Sequence, residues 1–377
     1  RMAMTETLPE QCPPQLLFLE RCLQLLRPGG RLGIVLPESL LGNPSYEHVH
    51  EFLVARTTLE AVMTMPEPLF KTSGKGGTHT KVCVLVLRKR VTKEDTPIFM
   101  ADAKWCGHDS RGNPTLRKDG KGDWQLLDDI PVIHERHRLY VNSKVLYGDH
   151  LGFTIPRSAI RNNIFVPRYY APEIGNRLMQ MRDTHDLRTI EELVVRGVLT
   201  VGTGVEIGKM AYGTGKIPFI RTSDISNWEI KADFKHGVSQ AVYELNKPKA
   251  NIAADDILMV RDGTYLIGTT AIVTASDLPM LFQSHLYRLR VLKPDELDPY
   301  LLLACLNTVV VKAQIRSKQF TQDIIDTLGR RLMEIVLPLP KDAALRSKVA
   351  AETRSLVETR VALRNRAQAI PKEIEYG

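Results

Sequence analysis

Residues 14–36 constrain the fold of this chain more than any other stretch. Leu16, Leu17, Leu19, Leu23 and Leu26 recur at helical spacing, and Arg27-Pro28-Gly29-Gly30 then stops the helix. Residues 32–36 (Leu-Gly-Ile-Val-Leu) follow as a short unbroken apolar run, the pattern of a strand buried on both faces of a parallel sheet. Val49, Phe52, Leu53 and Ala55 give one apolar face to a second helix. Stretches 59–65 and 81–87 read as further strands, joined across Gly74-Lys75-Gly76-Gly77. Three strands are too few for a doubly wound sheet, so 1–93 reads as the closing part of a three-layer α/β domain.

The rest of the chain changes character. Residues 94–145 are polar and rich in Gly, Asp and Lys, which predicts a partly ordered connector or insert. A linking subdomain over 146–195 holds 165–170 and a helix near 172–182. Over 196–340 short strands at 217–220, 256–260, 269–273 and 286–291 alternate with Gly-rich turns, and helical stretches follow at 298–317 and 321–329. That is a mixed α+β domain, not a second nucleotide fold. The last segment, 341–377, reads as a long helix for packing or dimerisation. Val349, Leu356, Leu363 and Ile370 recur every seven residues along it, with mostly polar partners between. About 30 residues at ~1.5 Å each make a rod of roughly 45 Å. Such a helix packs on a partner helix, in cis or in trans.

Composition narrows the function classes. With 377 residues, 43% hydrophobic and 25% charged, two to three domains can each bury a core. A disordered, collagen-like or disulfide-stapled chain is thereby excluded. No apolar run approaches the ~18–20 residues of a membrane span, and the N-terminus lacks a secretory leader. Five scattered cysteines without a C-x-x-C pair point to reduced thiols and a cytoplasmic setting. The chain starts at Arg1 rather than at a methionine, as a segment of a longer polypeptide would. A net charge of +8 is permissive for nucleic acid. From 71 to 93 there are seven Lys/Arg and no Asp/Glu. Lys75, Lys81, Arg88 and Lys89 are therefore candidates for phosphate contact, or else a solvated strand end.

Several local patterns resemble catalytic motifs and fall short of them. Residues 201–210 look like a phosphate loop, but Thr203 and Met210 stand where Gly and Ser/Thr are needed. His134 and His137 miss the one-turn spacing of a zinc helix, and Cys106 and His108 add no paired spacing, so no metal site is expected. Asp224 with Glu229-Ile230-Lys231 has the residue types of a metal nuclease at too short a spacing. Asn43-Pro44-Ser45-Tyr46 looks like the Asn-Pro-Pro-Tyr motif of amino-methyltransferases, but it opens a helix after the wrong strand.

Residues 18–41, taken with 80–87, resemble the C-terminal part of the adenine-specific DNA methylase family of type I restriction–modification systems. Residues 196–370 resemble one target-recognition domain of a type I specificity subunit. That second likeness rests on 217–225, on 255–264, on Gln283-Ser284-His285 and on 335–340 leading into the long helix. The resemblance implies the C-terminal part of a class I methyltransferase Rossmann-like α/β sheet, then a mixed α+β target-recognition domain and a long C-terminal helix. It further implies S-adenosylmethionine as cofactor of the complete enzyme and double-stranded DNA as partner. The missing N-terminal methylase half, or separate methylase and restriction subunits, would complete it, with self-association through the last helix. The family's Gly-rich cofactor loop, its acidic residue and a correctly placed Asn-Pro-Pro-Phe/Tyr are absent. No catalytic or cofactor-binding residue carries over, and this chain alone is expected neither to hold the cofactor nor to methylate.

Sequence readout needs donors and acceptors at base edges and cations for phosphates. Arg221-Thr222-Ser223-Asp224 places a guanine reader beside hydroxyls and an acceptor, and Arg261-Asp262-Gly263-Thr264-Tyr265 repeats that chemistry at a tight bend. Gln283, His285, Lys318, Gln319 and Gln322 supply amides and further cations. The alternative for each pair is a local salt bridge or a turn cap. Two functions remain open: part of a fused methylase carrying its own specificity module, or a non-enzymatic specificity subunit or scaffold. An RNA-methylase accessory fits less well, because aromatics are only 6% and form no clustered stacking platform.

Overall fold

The computed structural model describes residues 13–72, 80–90, 94–144, 148–263, 265–322 and 325–376. The chain divides into two compact units, Arg1–Gly175 with Phe320–Asp323, and Asn176–Gln319 with Ile324–Gly377.

In unit 1, helix α1 (Pro14–Leu25) buries Leu16, Leu19 and Leu23, the apolar stripe of its sequence. Gly29, at φ +76°, takes the left-handed turn that only glycine adopts freely, and its N–H donates to the Lys89 carbonyl at 2.8 Å. Strand β1 (Arg31–Pro37), helix α2 (Glu47–Arg56) and strands β2 (Thr58–Thr64), β3 (Val82–Arg88) and β4 (Pro97–Asp102) follow. A hairpin of β5 (Leu116–Lys118) and β6 (Trp124–Leu126), helix α3 (Ile130–Ser143) and β7 (Phe153–Pro156) complete the unit. The main sheet has the order β1-β3-β2-β4-β7. Strand alternation sends Cys83, Leu85 and Leu87 toward α1 and α2, and Val82, Val84 and Val86 toward the core that holds Ile133 and Tyr140 of α3. Helices thus cover both faces.

Two expectations change here. β1 pairs with β3 alone among the described residues, antiparallel, with Ile34 opposite Leu85. It is an edge strand, not a buried parallel one, and Val35 is 53% exposed. An apolar run signals strand and hydrophobicity, but the count of neighbours is a tertiary matter. The polar stretch after residue 94 also supplies β4, whose Ile98, Phe99, Met100 and Ala101 are all buried. β4 runs parallel to β2, with Val62 opposite Met100.

Helix α4 (Pro172–Met181) leads to unit 2, which opens with β8 (His185–Thr189), α5 (Ile190–Val195) and β9 (Leu199–Thr203). Thr189 caps α5 through a reciprocal box with Glu192. Next come β10 (Ile217–Ile220), the β11 (Ile225–Ser226) and β12 (Glu229–Ile230) hairpin, β13 (Gly237–Val238) and α6 (Gln240–Ala250). Strands β14 (Ile257–Val260), β15 (Asp262–Gly263), β16 (Thr270–Ile272), β17 (Leu281–Phe282) and β18 (Leu286–Val291) precede α7 (Pro299–Leu306) and α8 (Val309–Lys318). After β19 (Phe320–Gln322), which counts with unit 1, come β20 (Ile325–Thr327), β21 (Val336–Pro340) and α9 (Ala343–Tyr376).

The central sheet of unit 2 is antiparallel, in the order β16-β14-β18-β9. β14 alternates Ile257 and Met259 into one core with Leu258 and Val260 into another. The first core is closed by α5, α7 and α9, the second by β10, β17 and α6. Strands at 217–220, 256–260, 269–273 and 286–291 therefore form within a residue of where the pattern puts them. Residues 321–329, expected as helix, instead contribute β20, because Thr327 pairs with Asp262 across a ladder. In α9 the buried face is Ala350, Thr353 and Val357, packed on α7, while Leu356, Leu363 and Ile370 stay 45%, 66% and 46% exposed. The seven-residue stripe is largely the outer one.

A buried ion pair tests the packing of unit 1. Glu38 is almost wholly buried and accepts from Arg168 Nη2 at 2.5 Å. Burial pushes its carboxyl up, but the Arg168 guanidinium outweighs that and holds it below the usual range. Its contribution is complete above the unfolded carboxylate value and is lost as pH falls through the folded one. Arg168→Ala strands the charge and costs about 3–5 kcal/mol at pH 7. Urea unfolding should show that gap narrowing steadily toward pH 4, as Glu38 protonates first in the variant.

Candidate nucleic-acid interface

Most of the sequence-selected residues of unit 2 gather around one turn, Gln283-Ser284-His285, between β17 and β18. Its backbone is pinned on both sides: Gln283 N donates to Ile220 O at 2.9 Å and Ser284 N to Val205 O at 3.2 Å. Gly204 makes this approach possible, since a Cβ there would lie 2.2 Å from the Phe282 carbonyl oxygen. A glycine of the phosphate-loop-like stretch thus serves a close backbone crossing.

Arg221 leaves β10 beside this turn. Its Nε lies 3.5 Å from Gln283 Oε1, and its Nη1 is 3.1 Å from His236 Nε2. The His236 ring stacks on Tyr212 with centroids 4.5 Å apart. Among the described residues Nη2 has no partner. Asp224 is spent locally: its buried carboxylate accepts the Arg221 N–H at 2.8 Å and closes the turn through Thr222 and Ser223. Lys231 Nζ donates to the Ser223 carbonyl at 2.6 Å. This is the turn-cap alternative for Asp224, realised.

On the other side, Arg261 N donates to His285 O at 2.9 Å, which brings the end of β14 to the same turn. Asp262 is buried and takes His285 Nδ1 at 3.0 Å on one oxygen and the Thr327 hydroxyl on the other. Arg261 Nε sits 3.4 Å from Asp262 Oδ1 without hydrogen-bond geometry, and its guanidinium lies 5.9 Å from the Tyr287 ring centroid. Burial raises the Tyr287 phenol, which keeps it a neutral donor to Gly329 O at 2.6 Å. Tyr265 is 90% exposed. Thr264 and the side chain of Gln322 lie outside the described residues.

The remaining candidates sit elsewhere. Lys318 is held by Glu334 at 2.8 Å, and Gln319, half-buried, ends α8. In unit 1, Arg88 pairs with Glu60 at 2.5 Å, and Lys89 Nζ donates to Leu26 O at 2.6 Å, satisfying an orphan carbonyl of α1. Lys81 is half-buried in the field of Glu38, and Lys75 lies outside the described residues. Asn43 caps its own short helix by accepting from Ser45 N at 3.0 Å. Cys106 Sγ is 3.9 Å from His108 Nε2, and among the described residues no three His, Cys, Asp or Glu are placed to hold a metal. His236, Tyr212, Thr327 and Tyr287 support the interface and carry no local sequence signal, because each reaches its partner across the fold.

Residues 1–120 match the family model for N-6 DNA Methylase. The first 120 residues are methylase-like. No curated protein matches the chain. Among solved structures, the type IIG restriction endonuclease BpuSI is 13% identical, with 92% of this chain and 45% of that one covered at a TM-score of 0.38. The type I restriction enzyme EcoKI M protein is 20% identical over 27% of this chain and 22% of its own, at 0.22. A type I S subunit from M. genitalium is 11% identical over 93% and 96%, at 0.34. These scores are too low to establish a shared topology. The chain spans less than half the length of BpuSI.

Asp224 offers a check on the local reading. Asp224→Ala should lower stability by about 0.5–2 kcal/mol, the worth of a cap, as read by chemical denaturation. A neutral result would mean the turn closes without its carboxylate.

Proposed function

We propose that this chain is the DNA-recognition part, with a segment of the methylase fold, of an adenine-specific restriction–modification methyltransferase. What carries the reading is one polypeptide that joins a methylase-like stretch to the Arg221–Gln283–His285–Arg261 constellation on pinned backbone. Arg221 presents its remaining Nη2 amino group, a donor that suits guanine O6 or N7 in the major groove, and His285 and Arg261 flank it. Fixing these donors before DNA arrives saves the ordering cost of binding.

S-adenosylmethionine serves the complete enzymes of such families. The described residues of unit 1 do not fit it. Their cavity of about 180 Å³ is lined by aliphatics such as Leu19, Leu36 and Leu53 together with His50 and Arg157, and no carboxylate faces it. The methylase sheet is completed, in this reading, at the open edge of β1, where Leu17, Phe18, Leu25 and Val35 are exposed. The seat for a further strand and helix is there, whether they come from the same polypeptide or from a methylase subunit. The outer stripe of α9 would serve a second copy of the chain.

The deciding experiment is selection from a random duplex pool at near-physiological salt. One short asymmetric motif is expected. No enrichment by folded protein would remove the recognition reading. Arg221→Ala and Arg261→Ala should each relax the motif at one position at a cost of about 1–3 kcal/mol. An unchanged motif would return both to structural roles. Leu356→Glu with Leu363→Glu should convert any sedimenting dimer to monomer, and a wild-type chain that is monomeric at all concentrations would exclude self-association.

A further inference from the structure

Unit 2 has a second concave surface, next to Leu266, that the recognition constellation does not use. A groove of about 370 Å³ lies between the β11–β12 turn, the segment around Leu266 and one face of α8. Its lip is the two-residue turn Asn227-Trp228, with φ of +50° and +72°. Left-handed backbone at both central residues is the hairpin geometry that Asn-Gly adopts without cost, and a tryptophan in the second place is a strained choice. β16 holds it there, since Trp228 N donates to Thr270 O at 3.2 Å and Ile272 N donates to Trp228 O at 3.0 Å. The indole is half-buried, resting partly on the core and partly lining the groove.

Lys312 and Arg316 stand across from it, one turn apart on α8 and exposed. Among the described residues neither side chain has an ion-pair or hydrogen-bond partner. None of the described residues lining the groove is acidic. The contrast with Arg88, Lys89 and Lys318, all satisfied internally, is direct. An aromatic wall facing two unpaired cations can hold a backbone nucleotide without regard to its base, by phosphate charge and by contact with the sugar. Leu266 lines the groove and neighbours Tyr265, so this surface continues the loop that carries Arg261.

We propose that the groove seats one backbone nucleotide of the bound DNA next to the bases being read, its phosphate between Lys312 and Arg316 and its deoxyribose against Trp228. The proposal rests on the DNA-recognition reading and adds a sequence-independent anchor to it.

The test pairs two measurements on the full chain with its selected duplex. Lys312→Ala with Arg316→Ala should weaken binding to every sequence alike and flatten the log–log salt slope by about 0.9, one phosphate's worth, with the selected motif unchanged. Both residues are exposed, so a thermal midpoint near that of the wild type is expected. Separately, Trp105→Phe with Trp124→Phe leaves Trp228 as the sole reporter of the three tryptophans, and its emission should shift when duplex saturates the protein. If the unaltered chain enriches no motif, the recognition reading falls and this inference with it. If it enriches one while the slope and the Trp228 emission stay as they were, recognition stands and the groove is overturned as part of the interface.

Discussion

The second unit depends on β14. This strand is four residues long, all of them buried, and its alternate side chains belong to two different cores. Burying both faces fixes its position and leaves it no alternative register, since a one-residue slip would exchange the two sets of side chains. Arg261 and Asp262 follow directly from its end, so their backbone inherits that rigidity. Asp262 then extends the constraint sideways: one buried carboxylate takes His285 and Thr327, and so ties together the ends of three strands. Such a carboxylate contributes order more than affinity, because its charge is spent inside the protein.

How much of this was legible from the sequence depends on the kind of information asked for. The short apolar runs at 217–220, 256–260 and 286–291 became strands because local pattern and tertiary environment agree there. What a run cannot state is how many neighbours it has. Residues 32–36 read as a strand buried on both faces, yet β1 has one partner among the described residues and an exposed Val35. The same limit applies to α9. Its seven-residue repeat is real, but the stripe offset from it, through Ala350, Thr353 and Val357, has the smaller side chains that fit closely against α7. Helix packing selects shape as well as hydrophobicity.

Charged residues were the least legible, for a physical reason. A lysine or arginine becomes a candidate for phosphate contact only if the fold leaves it unpaired, and pairing is decided by residues far away in sequence. Arg88 meets Glu60 28 positions distant, and Lys89 reaches a carbonyl 63 positions away. Of the basic run from 71 to 93, Arg88 and Lys89 are taken up in internal contacts. Lys312 and Arg316 carry no local signal in their helical stretch, and their four-residue spacing turns them outward together.

On the proposed DNA-recognition reading, the fate of the acids determines what this surface can read. Asp224 closes its own turn and Asp262 lies under the loop, so neither carboxylate is presented to a ligand. The acceptor of Gln283 is already turned toward Arg221. What remains accessible as donors is the second amino group of Arg221 and the guanidinium of Arg261, while His285 Nδ1 is spent on Asp262. In the major groove, guanine offers two acceptors side by side and thymine one, whereas the amino groups of adenine and cytosine need an acceptor from the protein. On the proposed DNA-recognition reading, such a surface favours guanine at the positions it reads directly. It depends on other residues, or on the deformability of the duplex, for the rest of its selectivity.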